Sequence, residues 1–125
     1  MAKHNDTGSW GEDLAAQYLQ SQGYVLRDRD WRYGHRDLDL VVATPDGTTV
    51  VFVEVKTRTA DIVTHPEDAI DQRKIRNIGL AANDYVKLHD LQEQLRFDIV
   101  TVVGKDAATA TVSHMADAFN PLMAY

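Results

Sequence analysis

Apolar residues recur along this chain with two periods, and the switches between them mark its elements. From about Thr7 to Gln22 the helical period holds, with Leu14, Ala15, Tyr18 and Leu19 on one face and Gly23 as a C-terminal stop. Tyr24, Val25 and Leu26, followed by alternating arginines, predict an edge strand ending near Trp31, with a loop at Tyr33, Gly34 and His35. Two further strands are predicted over Asp37–Ala43 and Thr49–Thr57. The turn formers Pro45, Asp46 and Gly47 lie between them, so the pair should be an antiparallel hairpin.

Beyond a polar connection, Thr64-His65-Pro66-Glu67 has the form of a capping box with proline at the first helical position. The helix it would open runs to about Leu88 with Ile75, Ile78, Ala82 and Tyr85 on one stripe. Leu95 to Val103 alternates and then turns wholly apolar, as a strand entering a buried sheet does, and a short last strand is expected near Ala110 to Met115. The order is αβββαβ with a trailing strand: an α/β fold, its mixed sheet flanked by helices. At 125 residues the chain fits one domain spanning 1–125, with 1–6 expected to be disordered.

Composition narrows the function classes. There is no cysteine, which excludes disulfides and thiolate zinc sites and suits the cytoplasm. No signal peptide is recognisable and no apolar run nears the roughly 20 residues that span a bilayer, so no membrane role is expected. A formal net charge of −6 argues against coating nucleic acid through a global positive field. The basic residues are nevertheless grouped, with Arg27, Arg29, Arg32 and Arg36 in one segment and Arg73, Lys74 and Arg76 in another. For any single one of them, solvated surface charge is the ordinary reading.

The hairpin carries the chemistry. Alternation puts Glu54 and Lys56 on one face of their strand. With an even connection, either an Asp46-Gly47 turn or a Pro45–Thr48 loop, Asp39 falls opposite Glu54 and Asp37 opposite Lys56. A three-residue Pro45-Asp46-Gly47 loop with a glycine bulge competes and would separate the acids onto opposite faces. Two carboxylates on adjacent strands suit a hard divalent cation, Mg²⁺ or Mn²⁺, while a neighbouring lysine can orient water and offset charge building on a phosphate. The bland alternative is an exposed ladder in which Asp37 pairs with Lys56. Against it, Glu54 lies in the apolar run Val50-Val51-Phe52-Val53-Glu54-Val55, where a charge needs a reason. Glu12 is either a further ligand or the return half of a capping box begun at Ser9. No phosphate-binding glycine loop, nucleophile elbow or paired-histidine motif is present, and the five histidines are scattered and read as surface or half-buried residues.

Gly11-Glu12 with Ala15, Tyr18-Leu19 and Gly23-Tyr24, Trp31-Arg32, Asp37-Leu38-Asp39-Leu40-Val41, Val51-Phe52-Val53-Glu54-Val55-Lys56-Thr57-Arg58, Pro66, Lys74, Arg96-Phe97-Asp98-Ile99-Val100 and His114, in this order, give the chain its family likeness. It resembles the bacterial YraN family, a group similar to Holliday-junction resolvases with a restriction-endonuclease-like PD-(D/E)xK fold. The resemblance implies a Mg²⁺- or Mn²⁺-dependent deoxyribonuclease with Asp39, Glu54 and Lys56 in the catalytic positions. Asp39 and Glu54, with Glu12 as a further candidate, would be the metal ligands. Asp37 and Arg58 are supporting residues, and Arg32, Arg36 and Lys74 are candidates for contacting nucleic acid. One departure is visible: Arg36-Asp37 stands where the family has Gly-Glu. Expected partners are DNA, branched DNA included, and a second copy in a homodimer. The alternatives are an inactive nuclease fold that binds DNA or a DNA-processing partner, and a protein-interaction domain.

Overall fold

A computed structural model describes residues 6–59 and 71–123. Its elements are α1 (Asp6–Ser21), β1 (Val25–Tyr33), β2 (Arg36–Ala43), β3 (Thr49–Arg58), α2 (Gln72–His89), β4 (Gln94–Val103) and β5 (Thr111–Met115), then a short 3₁₀ turn at Pro121–Met123. The five strands form one sheet in chain order, β1-β2-β3-β4-β5. All neighbours are antiparallel except β3 and β4, which run parallel because α2 carries the chain back between them. This is the expected αβββαβ core with a trailing strand, consistent with a restriction-endonuclease-like architecture.

The two faces of the sheet make two cores. Leu40, Val42, Val51, Val53, Val100 and Val102 pack with Ala15, Ala16 and Leu19 of α1. On the other face Val41, Val50, Phe52 and Ile99 pack with Ile78, Ala81, Ala82 and Tyr85 of α2. β3 is buried on both sides, which explains its unbroken apolar run. α2 is capped by the Asp71 carboxylate, which accepts from the Lys74 amide at 2.9 Å, and ends at Asp90 in the left-handed region. The capping box expected at Thr64–Glu67 lies outside the described residues. The expected disorder over residues 1–6 also lies outside them except at Asp6, which the helix includes.

The β2–β3 connection is the four-residue Pro45–Thr48 loop. Ala43 pairs with Val50, and the Thr44 amide donates to the Thr49 carbonyl at 2.9 Å. Asp46 holds the loop by accepting from the Thr48 amide and from both threonine hydroxyls, and Gly47 supplies the positive φ of 77° that the turn requires. An even loop fixes the register in which Leu40 pairs with Val53, and the glycine-bulge alternative is not adopted. Among the described residues no helix is long and apolar enough to cross a membrane.

Candidate active site

Glu54 follows from the alternation of β3. Val51 and Val53 face α1, Val50 and Phe52 face α2, and so Glu54 and then Lys56 project on the α2 side. The Glu54 carboxylate is 5 % exposed, and an ion at that depth needs partners. Lys56 supplies one at 3.4 Å, and Lys74, from the first turns of α2, supplies a second at 3.5 Å. Burial opposes the charge on Lys74, but the carboxylates of Glu54, Asp39 and Asp37 outweigh it and hold the ammonium above its ordinary pKa.

Asp39 is placed by a break in the strand pattern. Leu38 and Leu40 are two residues apart and should share a face, yet Leu40 packs toward α1 and Leu38 toward α2. β1 slips at the same level. Arg29 reaches Glu12 and Asp13 on α1, whereas Trp31 packs in the α2 core, and Asp30 between them has φ +53°. Asp90 and Asp117 share this left-handed backbone, which aspartate tolerates better than most residues; at Asp30 it falls where β1 changes faces. The described β2–β3 ladder ends at Leu40–Val53, and one step further the Asp39 carboxylate itself accepts from the Val55 amide at 2.8 Å. Asp39 thus occupies the seam where β2 leaves β3, between the acids of the two faces.

On the α1 side of the seam stand Glu12 and Asp30. Carboxylate oxygens of Glu12, Asp30 and Asp39 all lie within 4.8 Å of one another. Gly11 permits this approach, because a side chain there would overlap the Thr57 hydroxyl and push α1 off β3. Burial, and then the neighbouring charge of Glu54, push the Asp39 carboxyl up to about 8, despite the opposing Val55 hydrogen bond. Burial and then Asp30 also raise Glu12, working against the guanidinium of Arg29 at 3.3 Å. Crowded carboxylates that resist ionisation make an oxygen-rich donor set of the kind that could hold a hard divalent cation, although Asp30 among them is exposed.

The other sequence candidates are dispersed. Asp37 is exposed and pairs in the ladder with Arg32, not with Lys56. Arg58 is half-buried at the end of β3 and donates to the carbonyl of Thr57. Arg36 is engaged with Asp84 of α2 at 3.2 Å, and Arg32 is exposed. The capping-box reading of Glu12 fails: Ser9 lies inside α1, which begins at Asp6, and Glu12 turns to Arg29. Asp30 is the residue that sequence reasoning missed. It sits in the alternating run Arg27-Asp28-Arg29-Asp30, and nothing in that run signals a left-handed residue.

Comparison with known proteins agrees over nearly the whole chain. The profile of the uncharacterised protein family UPF0102 matches residues 11–102. A UPF0102 protein of Bacteroides fragilis is 45 % identical over 121 residues, covering 97 % of this chain and 98 % of that protein. One of Bacteroides thetaiotaomicron is 42 % identical with the same coverage, and one of Flavobacterium psychrophilum is 36 % identical over 95 % of this chain and 98 % of that protein.

Proposed function

The chain belongs to the UPF0102 family, the YraN family, and we propose that it is a divalent-metal-dependent deoxyribonuclease whose site is the Asp39 seam. The observation that carries this reading is Asp39 itself: a carboxylate between Glu12 and Asp30 on one side and Glu54 on the other, with the ammonium of Lys56 beside Glu54. Asp39, Glu54 and Glu12 would hold Mg²⁺ or Mn²⁺, with Asp30 as an additional carboxylate at the seam. When bound, the cation would supply Lewis-acid polarisation of a phosphate and a lowered pKa for water.

The chain's own residues divide the remaining work. Lys56, Lys74, Arg73 and Asn77, together with Asp71, line a hollow next to Glu54 in which three cations outnumber one acid, and that balance suits a phosphodiester. In hydrolysis a water oxygen bonds to phosphorus as one P–O ester bond breaks, leaving a phosphomonoester and a hydroxyl. Lys56 orients that water and offsets the charge gathering on the phosphoryl oxygens. Asp39, held by the Val55 amide, keeps the acids in register.

A second reading also has an observation behind it. Glu54 is already closed by two lysines, as in a structural ion-pair cluster, and this favours a non-enzymatic module that binds DNA. Calorimetric titration with Mg²⁺ or Mn²⁺, followed by incubation with linear, single-stranded and branched DNA, separates the two. Cleavage that needs the cation is the expected result; DNA binding without cation binding or cleavage would establish the second reading instead.

A further inference from the structure

The β1–β2 hairpin ends in a feature that the cation site does not use. Tyr33 is 50 % exposed and its ring lies parallel to that of Trp31, 5.9 Å away at an interplanar angle of 7°. Trp31 in turn meets the buried Tyr85 edge-on at 5.2 Å, and Tyr85 is fixed by donating its hydroxyl hydrogen to Asp28 at 2.7 Å. The three rings form a continuous line of contacts from the α2 core to solvent, one stacked and one edge-on. Across the hairpin from Tyr33, its pairing partner Arg36 is tied to Asp84 of α2. The tip is therefore tied down through both strands, with the Tyr33 ring left half in water.

The surroundings specify what would lie on that face. Gly34, with φ +65° and open space where a side chain would stand, makes the tight turn to His35. Arg32 and His35 flank Tyr33 and are exposed. An exposed aromatic face with arginines beside it, Arg32 next to it in the chain and Arg36 across the ladder, is an arrangement that takes an unpaired nucleobase, with a phosphate on Arg32. The distance also fits. Arg36 is three residues from Asp39 along a strand, at most about 10 Å by the reach of an extended chain, and Tyr33 is about 5 Å across the ladder from Arg36.

We infer that Tyr33, braced by Trp31, is a stacking platform for an unpaired base a few nucleotides from the Asp39 seam, so that the protein selects DNA with a gap, flap or branch over continuous duplex. This rests on the DNA-directed reading above but not on catalysis.

The test is binding by fluorescence anisotropy in EDTA, comparing a short blunt duplex with the same duplex carrying a single-stranded gap. A 2-aminopurine in the gap reports stacking by quenching. Tyr33→Ala should weaken binding to gapped DNA by about tenfold or more, abolish the quenching, and leave duplex binding within about twofold; Tyr33→Phe should behave as the parent. Equal binding of gapped DNA by parent and Tyr33→Ala would overturn the inference, as would an equal loss on both DNAs or a parent that binds no DNA. Because no cation is present, the nuclease reading stands or falls separately. A parent that binds and quenches the gapped DNA but never cuts would retain the platform and lose the enzyme.

Discussion

Two aspartates in this sheet, Asp98 buried and Asp39 half-buried, receive opposite treatment. Asp98 on β4 is wholly inaccessible, yet hydrogen bonds from His114 (2.7 Å), Arg96 (2.8 Å) and the Asp117 amide (2.9 Å) more than offset its burial and hold its carboxyl below the ordinary value. Tyr24 accepts from Arg96 and meets His114 edge-on, so the network closes on itself. Asp39 is less deeply placed but accepts one backbone amide, stands among three other acids, and its carboxyl is raised. Asp98 has every partner it needs, whereas Asp39 has been given neighbours that make ionisation costly. Charge satisfaction marks the first as structural, and its lack is what supports the second as the proposed site.

The largest effect that tests this contrast is at Asp98. Asp98→Ala would leave Arg96 and His114 with no carboxylate and release the Asp117 amide, so urea denaturation should show a loss of about 3–5 kcal/mol. Asp98→Asn should lose less. Asp39→Asn should cost little, because the amide oxygen can still accept from Val55, while cation binding by calorimetry should disappear. A heavier loss at Asp39 than at Asp98 would reverse the assignment.

The pH dependence of stability should differ in sign. Asp39 holds its proton in the folded state up to about 8 and gives it up near 3.9 when unfolded. The folded state therefore binds more protons between these values, and its stability falls as pH rises through that window. Asp98 is depressed when folded, so its contribution is present above its unfolded value and is lost as pH drops below about 4. Melting temperatures of parent and Asp39→Asn should diverge between pH 5 and 8, with the variant gaining. Saturating Mg²⁺ should narrow the gap by favouring ionised Asp39 in the parent. Parallel profiles would mean that Asp39 is not raised.

Next in size is the division between Glu54 and Lys56. Glu54→Ala should abolish cation-supported cleavage and weaken cation binding, with stability changed by about 1 kcal/mol or less, since Lys56 and Lys74 can turn to water. Lys56→Ala should bind the cation as tightly as the parent and cut at about a hundredth of its rate, because the lysine acts on charge that develops in the transition state. Lys56→Ala cutting at the parental rate would remove the lysine from the chemistry.

How far this contrast could be read from sequence differs between its halves. The hairpin, the helical stripes and the apolar run that buries Glu54 follow from periodicity and turn chemistry, which are local. The register was undecided between two turns that Pro45, Asp46 and Gly47 serve equally well, and Asp46's capture of Thr44 and Thr48 settled it. The slip in alternation at Asp30 and Asp39 was invisible, because it needs a left-handed residue that composition does not announce and two strands breaking pattern at one level. Asp98 looked like the polar half of an alternating strand. Its partner His114 is 16 residues away on another strand, and scattered histidines carry no spacing signal.

The smallest effect lies at Arg29, which binds Glu12 at 3.3 Å and also pairs with Asp13. As a partly exposed pair it should contribute only about 0.2–1 kcal/mol, so Arg29→Ala should unfold almost as the parent does. Its electrostatic role is larger than its structural one, because the guanidinium is the cation that Glu12 now holds and works against the burial that raises its carboxyl. Removing it takes away the internal competitor for Glu12 while leaving Asp39 and Asp30 in place. Calorimetry should then show Mg²⁺ or Mn²⁺ binding at least as tightly as in the parent. If the variant instead loses cation binding at unchanged stability, Arg29 is positioning Glu12 rather than competing for it, and the seam is organised by its ion pairs.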